Sequence, residues 1–313
     1  MKIKKPKFWD YKNPTVLAFL LWPLSIIFRL ISILNKKNKK KYNNIKTICA
    51  GNFYVGGTGK TSLAIKLKEI LDKKNIKSCF IKKDYSNQLD EQKLLEKHGK
   101  VFTNKSRDKA LQMAISENYD VAIFDDGLQD TSIDYDLIFV CFNNLNWIGN
   151  SFLIPAGPLR ENVSNLRFYN HIFLNGNNEN LTNIIKTIKD INLHINIHIS
   201  KYKIQNLNNF DINEKYLVFS GIGNHQTFIN MLKNNNFNIV RDIEFPDHYD
   251  YEDNDLNKII SLSKEFNAKI LTTEKDYLRL KEIYTKNIQF IKSKLEINDE
   301  NKLIKILDDA TKN

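Results

Sequence analysis

Cysteine is in short supply in this chain. Among 313 residues there are only 3 cysteines, and Cys49, Cys79 and Cys141 lie far apart with no C-x-x-C pair. Each stands beside apolar residues, which predicts buried free thiols in a reducing compartment and argues against a disulfide framework. The chain also lacks internal repeats and long low-complexity segments. At about 100–200 residues per domain, its length predicts two globular domains.

Acidic residues are outnumbered by basic residues. With 36 Asp and Glu against 47 Lys and Arg, the formal net charge is +11 at pH 7. This surplus favours a polyanionic partner, whether nucleic acid, anionic lipid or phosphorylated substrate, and does not choose among them. Lysine, asparagine and isoleucine are all abundant, as in a compositionally biased genome, so the charge carries little weight alone.

Glycine is scarce too, but 4 of the 11 glycines fall within residues 51–67, GNFYVGGTGKTSLAIKL. The apolar run Ile45–Ala50 before this stretch suits a buried parallel strand, and the pattern after it suits a helix. Gly56, Gly57 and Gly59 allow the turn to curl so that its N–H groups and the helix N-terminus face a phosphate. The stretch therefore predicts a phosphate loop.

The polar residues of this loop predict binding of a nucleoside triphosphate with Mg²⁺. Lys60 would reach the β- and γ-phosphates, and the Thr61 hydroxyl would ligate Mg²⁺. The usual G-x-x-x-x-G-K-S/T pattern has a glycine where this chain has Tyr54. An ordinary strand-to-helix turn is the alternative, although G-G-T-G-K-T at a strand end is rarely accidental. The predicted nucleotide-binding residues here are Gly56, Gly57, Thr58, Gly59, Lys60 and Thr61.

An acidic pair follows another apolar run. Val121–Phe124 leads directly into Asp125, Asp126 and Gly127. Nucleotide-hydrolysing folds place a Mg²⁺-holding carboxylate at the end of such a strand, so Asp125 or Asp126 is the predicted second metal ligand. A plain strand-end turn is the alternative, because Asp-Gly is common in turns.

The loop at residues 151–161, SFLIPAGPLRE, has two prolines and a glycine among apolar residues. It predicts a rigid turn that presents Arg160 and Glu161. Arginine suits phosphate because its planar fork binds two oxygens at once. Taken alone, such a stretch is more often a solvated surface loop.

Strand-like and helix-like stretches alternate after the phosphate loop. Cys79–Ile81 and Val101–Thr103 predict strands, and Leu89–His98 and Asp108–Ser116 predict helices. This order predicts an α/β fold of the phosphate-loop NTPase type, with helices on both faces of a parallel sheet and nucleotide at the carboxyl ends of the strands. The predicted domains are an N-terminal membrane-associated helix at 1–40, a nucleotide-binding domain at 41–205 and a smaller α/β domain at 206–313 that contributes to the cleft.

Residues Pro14–Leu34 form an apolar run nearly long enough to cross a bilayer. Ser25, Arg29 and Ser32 fall on one narrow helical face, and lysines flank both ends of the run. These features favour a helix lying in the cytoplasmic leaflet with its lysines on anionic headgroups. A true membrane span and an ordinary core helix are the alternatives. No small-residue cleavage site follows, which argues against a signal peptide, so the rest of the protein is expected to be cytoplasmic.

Six motifs between residues 51 and 276 occur in the order of a known family. They are G-N-F-Y-V-G-G-T-G-K-T at 51–61, D-D-G-L-Q at 125–129, L-I-P-A-G-P-L-R-E at 153–161, G-I-G-N at 221–224, F-P-D-H at 245–248 and T-E-K-D at 273–276. Together they resemble the tetraacyldisaccharide 4′-kinases, which phosphorylate the lipid A precursor in Gram-negative bacteria. D-D-G-L-Q followed by P-A-G-P-L-R-E is the most specific part, and the family resembles phosphate loops that lack the first glycine.

The resemblance implies ATP and Mg²⁺ as cofactors and an acylated disaccharide phosphate lipid as the acceptor. It implies that Asp90 takes the proton from the sugar 4′-hydroxyl, assisted by His248 from the second domain, so that domain closure would assemble the base. The implied setting is the cytoplasmic face of the bacterial inner membrane, with no nucleic acid and no obligate protein partner. The other implied roles are catalysis and triphosphate binding for Lys60, Mg²⁺ binding for Thr61, Asp125 and Asp126, nucleotide proximity for Gln129, and substrate contacts for Arg107, Arg160 and Glu161.

The chain departs from the family pattern near the implied base. Residues 82–86, KKDYS, stand in place of a serine-arginine-glycine-tyrosine segment, Leu89 in place of a glycine, and Asp130 in place of a histidine. The alternative function is a partition or Min-type ATPase switch that binds membrane, DNA or a protein partner. That class has a lysine just before its glycine pair, where this chain has Val55, and it gives D-D-G-L-Q and P-A-G-P-L-R-E no purpose.

Overall fold

A computed structural model describes residues 5–34, 38–84, 89–176 and 181–312. The strands of this part of the chain form two sheets. In chain order they are β1 Lys46–Gly51, β2 Ser78–Lys83, β3 Val101–Asn104, β4 Val121–Asp125, β5 Leu137–Asn143, β6 His171–Asn175, β7 Asn196–Ile204, β8 Lys215–Ser220, β9 Asn238–Glu244, β10 Lys269–Thr273, β11 Ile288–Ile291 and β12 Ser293–Ile297.

Helices alternate with these strands through much of the described chain, as the sequence pattern predicts. They are α1 Val16–Leu34, α2 Lys60–Lys73, α3 Leu89–Glu96, α4 Arg107–Ser116, α5 Leu181–Ile191, α6 His225–Asn234, α7 Asp253–Glu265, α8 Glu274–Tyr277, α9 Glu282–Thr285 and α10 Glu300–Thr311.

The larger sheet has the strand order β12-β7-β6-β5-β1-β4-β2-β3. Every neighbouring pair from β7 to β3 is parallel. β1 lies between β4 and β5, and Ala50 stands opposite both Asp125 and Phe139. Because the carboxyl ends of parallel strands meet at one edge, this register brings the loop after β1 to the acidic end of β4. The prediction of an α/β fold with a mainly parallel sheet is confirmed.

The described chain divides into two compact units. The phosphate-loop unit comprises residues 5–84, 95–201 and 297–312, and the second unit comprises residues 89–94 and 202–296. The sequence-based division differs, because it placed 89–94 in the nucleotide-binding domain and 297–313 in the smaller one. Helix α10 instead belongs to the phosphate-loop unit, where it forms ion pairs with α2 and with the residue that follows α2. These are Lys66 with Glu300 at 2.8 Å and Lys74 with Asp308 at 2.6 Å.

The sheet of the second unit has the order β11-β10-β8-β9, and all of its neighbouring strands are parallel. Alternate side chains of β8 point to opposite faces, as the pleat of a strand requires. Tyr216 and Val218 pack in one core cluster with side chains of α6, and Leu217 and Phe219 pack in another with side chains of α7. Helices therefore cover both faces of this sheet.

Helix α1 is attached to the phosphate-loop unit through its serine-bearing side. Ser25 is buried, and its hydroxyl donates to the Leu153 carbonyl at 2.8 Å and accepts from the Ala156 N–H at 3.2 Å. Ser25 therefore faces protein. Arg29, predicted on the same narrow face, is exposed, while the Ser32 side chain and the flanking lysines at positions 2, 4, 36 and 37 lie outside the described residues.

The opposite side of α1 is apolar and exposed. Leu20 is 72% exposed and Ile27 is 53% exposed, and large apolar side chains continue to the end of the helix. A contiguous apolar surface of this kind usually marks an interaction site. In the part of the chain that the structure describes, no helix is both long enough and apolar enough to span a bilayer.

Candidate active site

The phosphate loop joins β1 to α2 and is held in shape by Asn52. This side chain is fully buried, and its Nδ2 donates to the Thr58 hydroxyl at 2.9 Å and to the Tyr54 carbonyl. Gly59, immediately before α2, has φ +86°, a left-handed conformation that favours glycine. The loop therefore enters the helix with the curl that the glycine pattern predicts. Tyr54, at the position of the usual first glycine, is buried.

A second asparagine fastens this loop from β6. Nδ2 of Asn175 donates to the Thr58 carbonyl at 2.5 Å, and Oδ1 of Asn175 accepts from the Ser200 hydroxyl on β7. Both Asn175 and Ser200 are fully buried. In a trans peptide the carbonyl and the following N–H point in opposite directions. Because Asn175 holds the Thr58 carbonyl towards β6, the Gly59 N–H points away from β6.

Asp125 lies at the end of β4 beside the start of α2. Its Oδ2 lies 3.2 Å from the Thr61 hydroxyl and accepts from the Lys82 ammonium at 2.8 Å. The side chains of Asp125 and Lys82 are both buried. Thr61 and Asp125, predicted as metal ligands, are thus adjacent, and Lys82 offsets the buried carboxylate charge.

Asp126, the next residue, is surrounded by cations and has φ +60°. Its Oδ1 lies 3.0 Å from Arg160 Nη1 and 3.7 Å from Lys60 Nζ. The Arg107 guanidinium donates to the Asp126 carbonyl at 2.5 Å. Burial raises the pKa of Asp126, but the charges of Lys60, Arg160 and Arg107 outweigh it and lower the pKa to about 2. Asp126 is therefore ionised at neutral pH.

Gln129 connects the acidic motif to the rigid loop. Its Nε2 donates to the Asn52 carbonyl at 2.8 Å, and its Oε1 accepts from Arg160 Nη1 at 3.0 Å. Glu161 lies alongside, with Oε1 3.4 Å from the same Nε2 of Gln129. The structure thus gathers the phosphate loop, D-D-G-L-Q and the end of P-A-G-P-L-R-E into one polar network.

Asp90 and His248 form a separate cluster within the second unit. Nδ1 of His248 lies 3.0 Å from Oδ1 of Asp90, whose side chain is 3% exposed. His248 has φ +54°, a conformation that is uncommon outside glycine and often found at functional sites. The sequence places Asp90 and His248 in different domains, whereas in the structure residues 89–94 group with the compact unit that contains His248. Lys275 fixes this segment through an ion pair with Glu91 at 2.7 Å.

The charges around the pair decide its protonation. Burial raises the pKa of Asp90, but the hydrogen bond from His248 and the charges of Lys275, His248 and Arg279 hold that pKa below its usual value. Burial lowers the pKa of His248, but its hydrogen bond to Asp90 and the nearby carboxylates raise that pKa above its usual value. Asp90 is therefore ionised at neutral pH and available as a proton acceptor.

Known proteins are similar to this chain over most of its length. The sequence profile of the tetraacyldisaccharide-1-P 4′-kinase family matches residues 17–312. The chain belongs to the tetraacyldisaccharide 4′-kinase family. A tetraacyldisaccharide 4′-kinase of Pelagibacter ubique is 59% identical over 310 residues, covering 98% of this chain and 99% of the relative. One from Rickettsia canadensis is 36% identical over 323 residues, covering 97% and 96% of the two chains.

A solved structure shares the fold. The crystal structure of LpxK from Aquifex aeolicus in complex with ATP has a TM-score of 0.66 to this chain at 23% sequence identity. The match covers 95% of this chain and 100% of the other. The similarity extends over both compact units and agrees with the α/β architecture described above.

In this tetraacyldisaccharide 4′-kinase family member, Asn175 and Lys82 contact predicted site residues although the sequence reasoning assigned them no role. Each lies at or near the carboxyl end of a strand, β6 for Asn175 and β2 for Lys82. A polar residue that ends an apolar parallel strand is the signal that could have identified both. Asp130 departs from the family pattern, and its Oδ2 lies 3.6 Å from Nη1 of Arg107.

Proposed function

We propose that this protein transfers the γ-phosphate of ATP to the 4′-hydroxyl of a tetraacyldisaccharide 1-phosphate lipid. Family membership gives the reaction, and the observation that carries the site assignment is the meeting of Lys60, Thr61 and the Asp125-Asp126 pair at one edge of the sheet. Phosphoryl transfer depends on positioning and on neutralising phosphate charge, and a phosphate loop supplies both.

The residues beside the loop fit Mg²⁺. A threonine hydroxyl and a carboxylate are the oxygen donors that Mg²⁺ prefers, and Mg²⁺ typically takes few protein ligands because waters and phosphate oxygens fill its other positions. Thr61 and Asp125 would hold the ion, while Asp126 is engaged by Lys60 and Arg160. When bound, Mg²⁺ neutralises charge on the β- and γ-phosphate oxygens.

Cationic side chains provide the remaining charge neutralisation on the nucleotide side. Lys60 would exchange its contact with Asp126 for the β- and γ-phosphates, and Arg160 would offer its planar fork to phosphate oxygens. Gln129 bonds both to Arg160 and to the Asn52 carbonyl at the start of the loop, and so holds the two together at this edge. In the chemical step, the 4′-oxygen bonds to the γ-phosphorus, the bond from that phosphorus to the β–γ bridging oxygen breaks, and ADP leaves.

Asp90 would accept the proton of the 4′-hydroxyl. Its depressed pKa keeps it ionised, and the proton that His248 holds at Nδ1 fixes the orientation of the carboxylate. A positioned carboxylate that takes the hydroxyl proton is the usual base in phosphoryl transfer to alcohols.

The exposed apolar side of α1 would place the enzyme on the cytoplasmic leaflet of the inner membrane as a peripheral protein. An amphipathic helix of this kind lies in the headgroup region, and neighbouring lysines attract anionic lipid. This location gives access to a lipid acceptor. Neither nucleic acid nor an obligate protein partner is part of this proposal.

The reaction can be tested with ATP labelled at its γ-phosphorus and total inner-membrane lipid as the acceptor. We expect the label on a disaccharide lipid, fixed at the 4′-position. Release of labelled inorganic phosphate with no labelled lipid would favour the alternative of a partition or Min-type ATPase switch. A Lys60→Ala variant, which loses the phosphate-binding ammonium, serves as the control for contaminating kinases.

A further inference from the structure

The left-handed backbone of His248 is held from both sides by one arginine. The His248 N–H donates to the Gly221 carbonyl at 3.0 Å. The same carbonyl accepts from Nη2 of Arg279 at 2.8 Å, and Nη1 of Arg279 donates to the Tyr249 carbonyl at 3.2 Å. One guanidinium therefore bridges the carbonyl that receives the His248 N–H and the carbonyl of the residue that follows His248.

A buried carboxylate fixes this arginine. Asp276 is 0% exposed, and its Oδ1 accepts from the Gly221 N–H at 2.9 Å and the Tyr251 hydroxyl at 2.7 Å. Oδ1 also receives a close contact from Arg279, and Oδ2 accepts from the Thr273 hydroxyl at 2.6 Å. The motifs G-I-G-N and T-E-K-D, to which the proposed function gives no role, meet at this carboxylate.

We propose that Arg279 is a positioning residue for phosphoryl transfer, and that Asp276 holds it in place to form a clamp on the His248 loop. The clamp, made of Arg279, Asp276 and Gly221, keeps Nδ1 of His248 directed at Asp90. This inference rests on the proposed roles of Asp90 and His248. It adds a structural reason for the two short motifs of the second unit.

Position 279 requires arginine because of the shape of the guanidinium group. The planar guanidinium presents several N–H groups in a fixed fork, so it can donate to both carbonyls while contacting Asp276. A lysine at position 279 would keep the positive charge near Asp90, whose Oδ2 lies 3.9 Å from Arg279 Nε. It would lack the fork. The Arg279→Lys variant therefore separates the clamp from a simple charge effect.

The test compares the kinetics of Arg279→Lys with those of Arg241→Lys, an exposed arginine on β9 of the same unit. We expect Arg279→Lys to lower kcat about 10- to 100-fold, because a small misplacement of a catalytic group costs about this much. The KM for ATP should stay within about twofold of wild type. Arg241→Lys should leave both parameters unchanged.

A double-mutant cycle shows whether Arg279 acts through His248. In a His248→Ala background, Arg279→Lys should lower kcat by no more than about twofold, since residues that act as one unit are not additive. An equal loss in both backgrounds would overturn the clamp, as would wild-type kcat in Arg279→Lys. If Arg279→Lys does not fold, Thr273→Val is used in the same double-mutant cycle. It removes the hydroxyl that donates to Asp276 and so loosens the carboxylate that holds Arg279.

The outcomes also separate this inference from the function on which it rests. If His248→Ala keeps wild-type kcat, both the base pair and the clamp are overturned. If His248→Ala loses activity while Arg279→Lys keeps it, the clamp alone is overturned. Both the proposed function and the clamp are supported by a combination of three results. Arg279→Lys forms labelled 4′-phospholipid slowly, it keeps its affinity for ATP, and the same substitution causes no further loss of kcat in the His248→Ala background.

Discussion

Three histidines in this chain show how the environment of an imidazole sets its pKa. His171 and His198 lie next to each other on β6 and β7 among phenylalanine rings, and burial lowers the pKa of each to about 4. His248 is buried beside carboxylates, and there the pKa is raised. The first two remain neutral and fill the core, whereas His248 holds a proton against Asp90.

In the proposed mechanism, the chemical step depends on the carboxylate of Asp90. In Asp90→Asn we expect kcat to fall about 10²- to 10⁴-fold, because an amide cannot accept the hydroxyl proton. ATP affinity should change little, which equilibrium binding would measure. Asp253→Asn, an exposed carboxylate of the same unit, is the matched control. Near-normal kcat in Asp90→Asn would remove this residue from the mechanism.

The pH dependence of kcat should reveal the hydrogen bond between His248 and Asp90. Since the pKa of Asp90 is lowered in the folded protein, the wild-type base stays ionised to a lower pH than an ordinary aspartate. His248→Ala removes a hydrogen bond that lowers this pKa, so the acidic limb of the profile should move to higher pH. An acidic limb that stays in place, or moves to lower pH, would contradict the assignment.

At the scale of elements, the sequence pattern located much of the fold correctly. The strand predicted at Cys79–Ile81 lies within β2, and the helix predicted at Leu89–His98 begins as α3 does. Periodicity and turn residues act over a few neighbours, so they report such local structure well. The hydrogen bond from Asn175 to the phosphate loop joins residues far apart in sequence. No local pattern encodes that contact.

The connection from β6 to the phosphate loop leads to a prediction about nucleotide binding. In Asn175→Ala the buried Thr58 carbonyl loses its donor, which releases the Thr58–Gly59 peptide. Binding of ATP must then return this peptide to a position in which the buried Thr58 carbonyl has no donor. We expect that cost to lower the affinity for ATP about tenfold. Calorimetric titration with ATP and Mg²⁺ would measure it, and kcat at saturating ATP should change less.

A matched control for this prediction is Asn192→Ala. Asn192 also donates from Nδ2 to two carbonyls of the same unit, those of Leu166 and Tyr169, and neither residue belongs to the phosphate loop. We expect this variant to lose some stability and to bind ATP as the wild type does. Equal losses of ATP affinity in the two variants would assign the effect to general loosening of the unit.

At the scale of the whole molecule, the two compact units are not contiguous in sequence. Residues 89–94 and 202–296 form one unit, and 297–312 return to the other. Composition and motif order indicate two domains, but they do not determine which distant segments pack together. That packing depends on complementary side chains, whereas the periodicity of apolar residues reports only local structure. Asp90 illustrates this, since the structure groups it with residues 202–296 and not with residues 95–201, which follow its segment in the sequence.

The exposed apolar side of α1 should bind lipid surfaces directly. Leu20→Gln and Ile27→Gln remove apolar area from this side and add no charge, and neither position is buried against the protein. With about 1.5–3 kcal/mol gained on full burial of such a side chain, each change should weaken binding to vesicles with anionic lipid about tenfold. Leu193→Gln, at a position 70% exposed in the same unit, is the control and should sediment with vesicles like the wild type. Unchanged sedimentation of the Leu20→Gln/Ile27→Gln double variant would show that α1 is not the membrane-binding element.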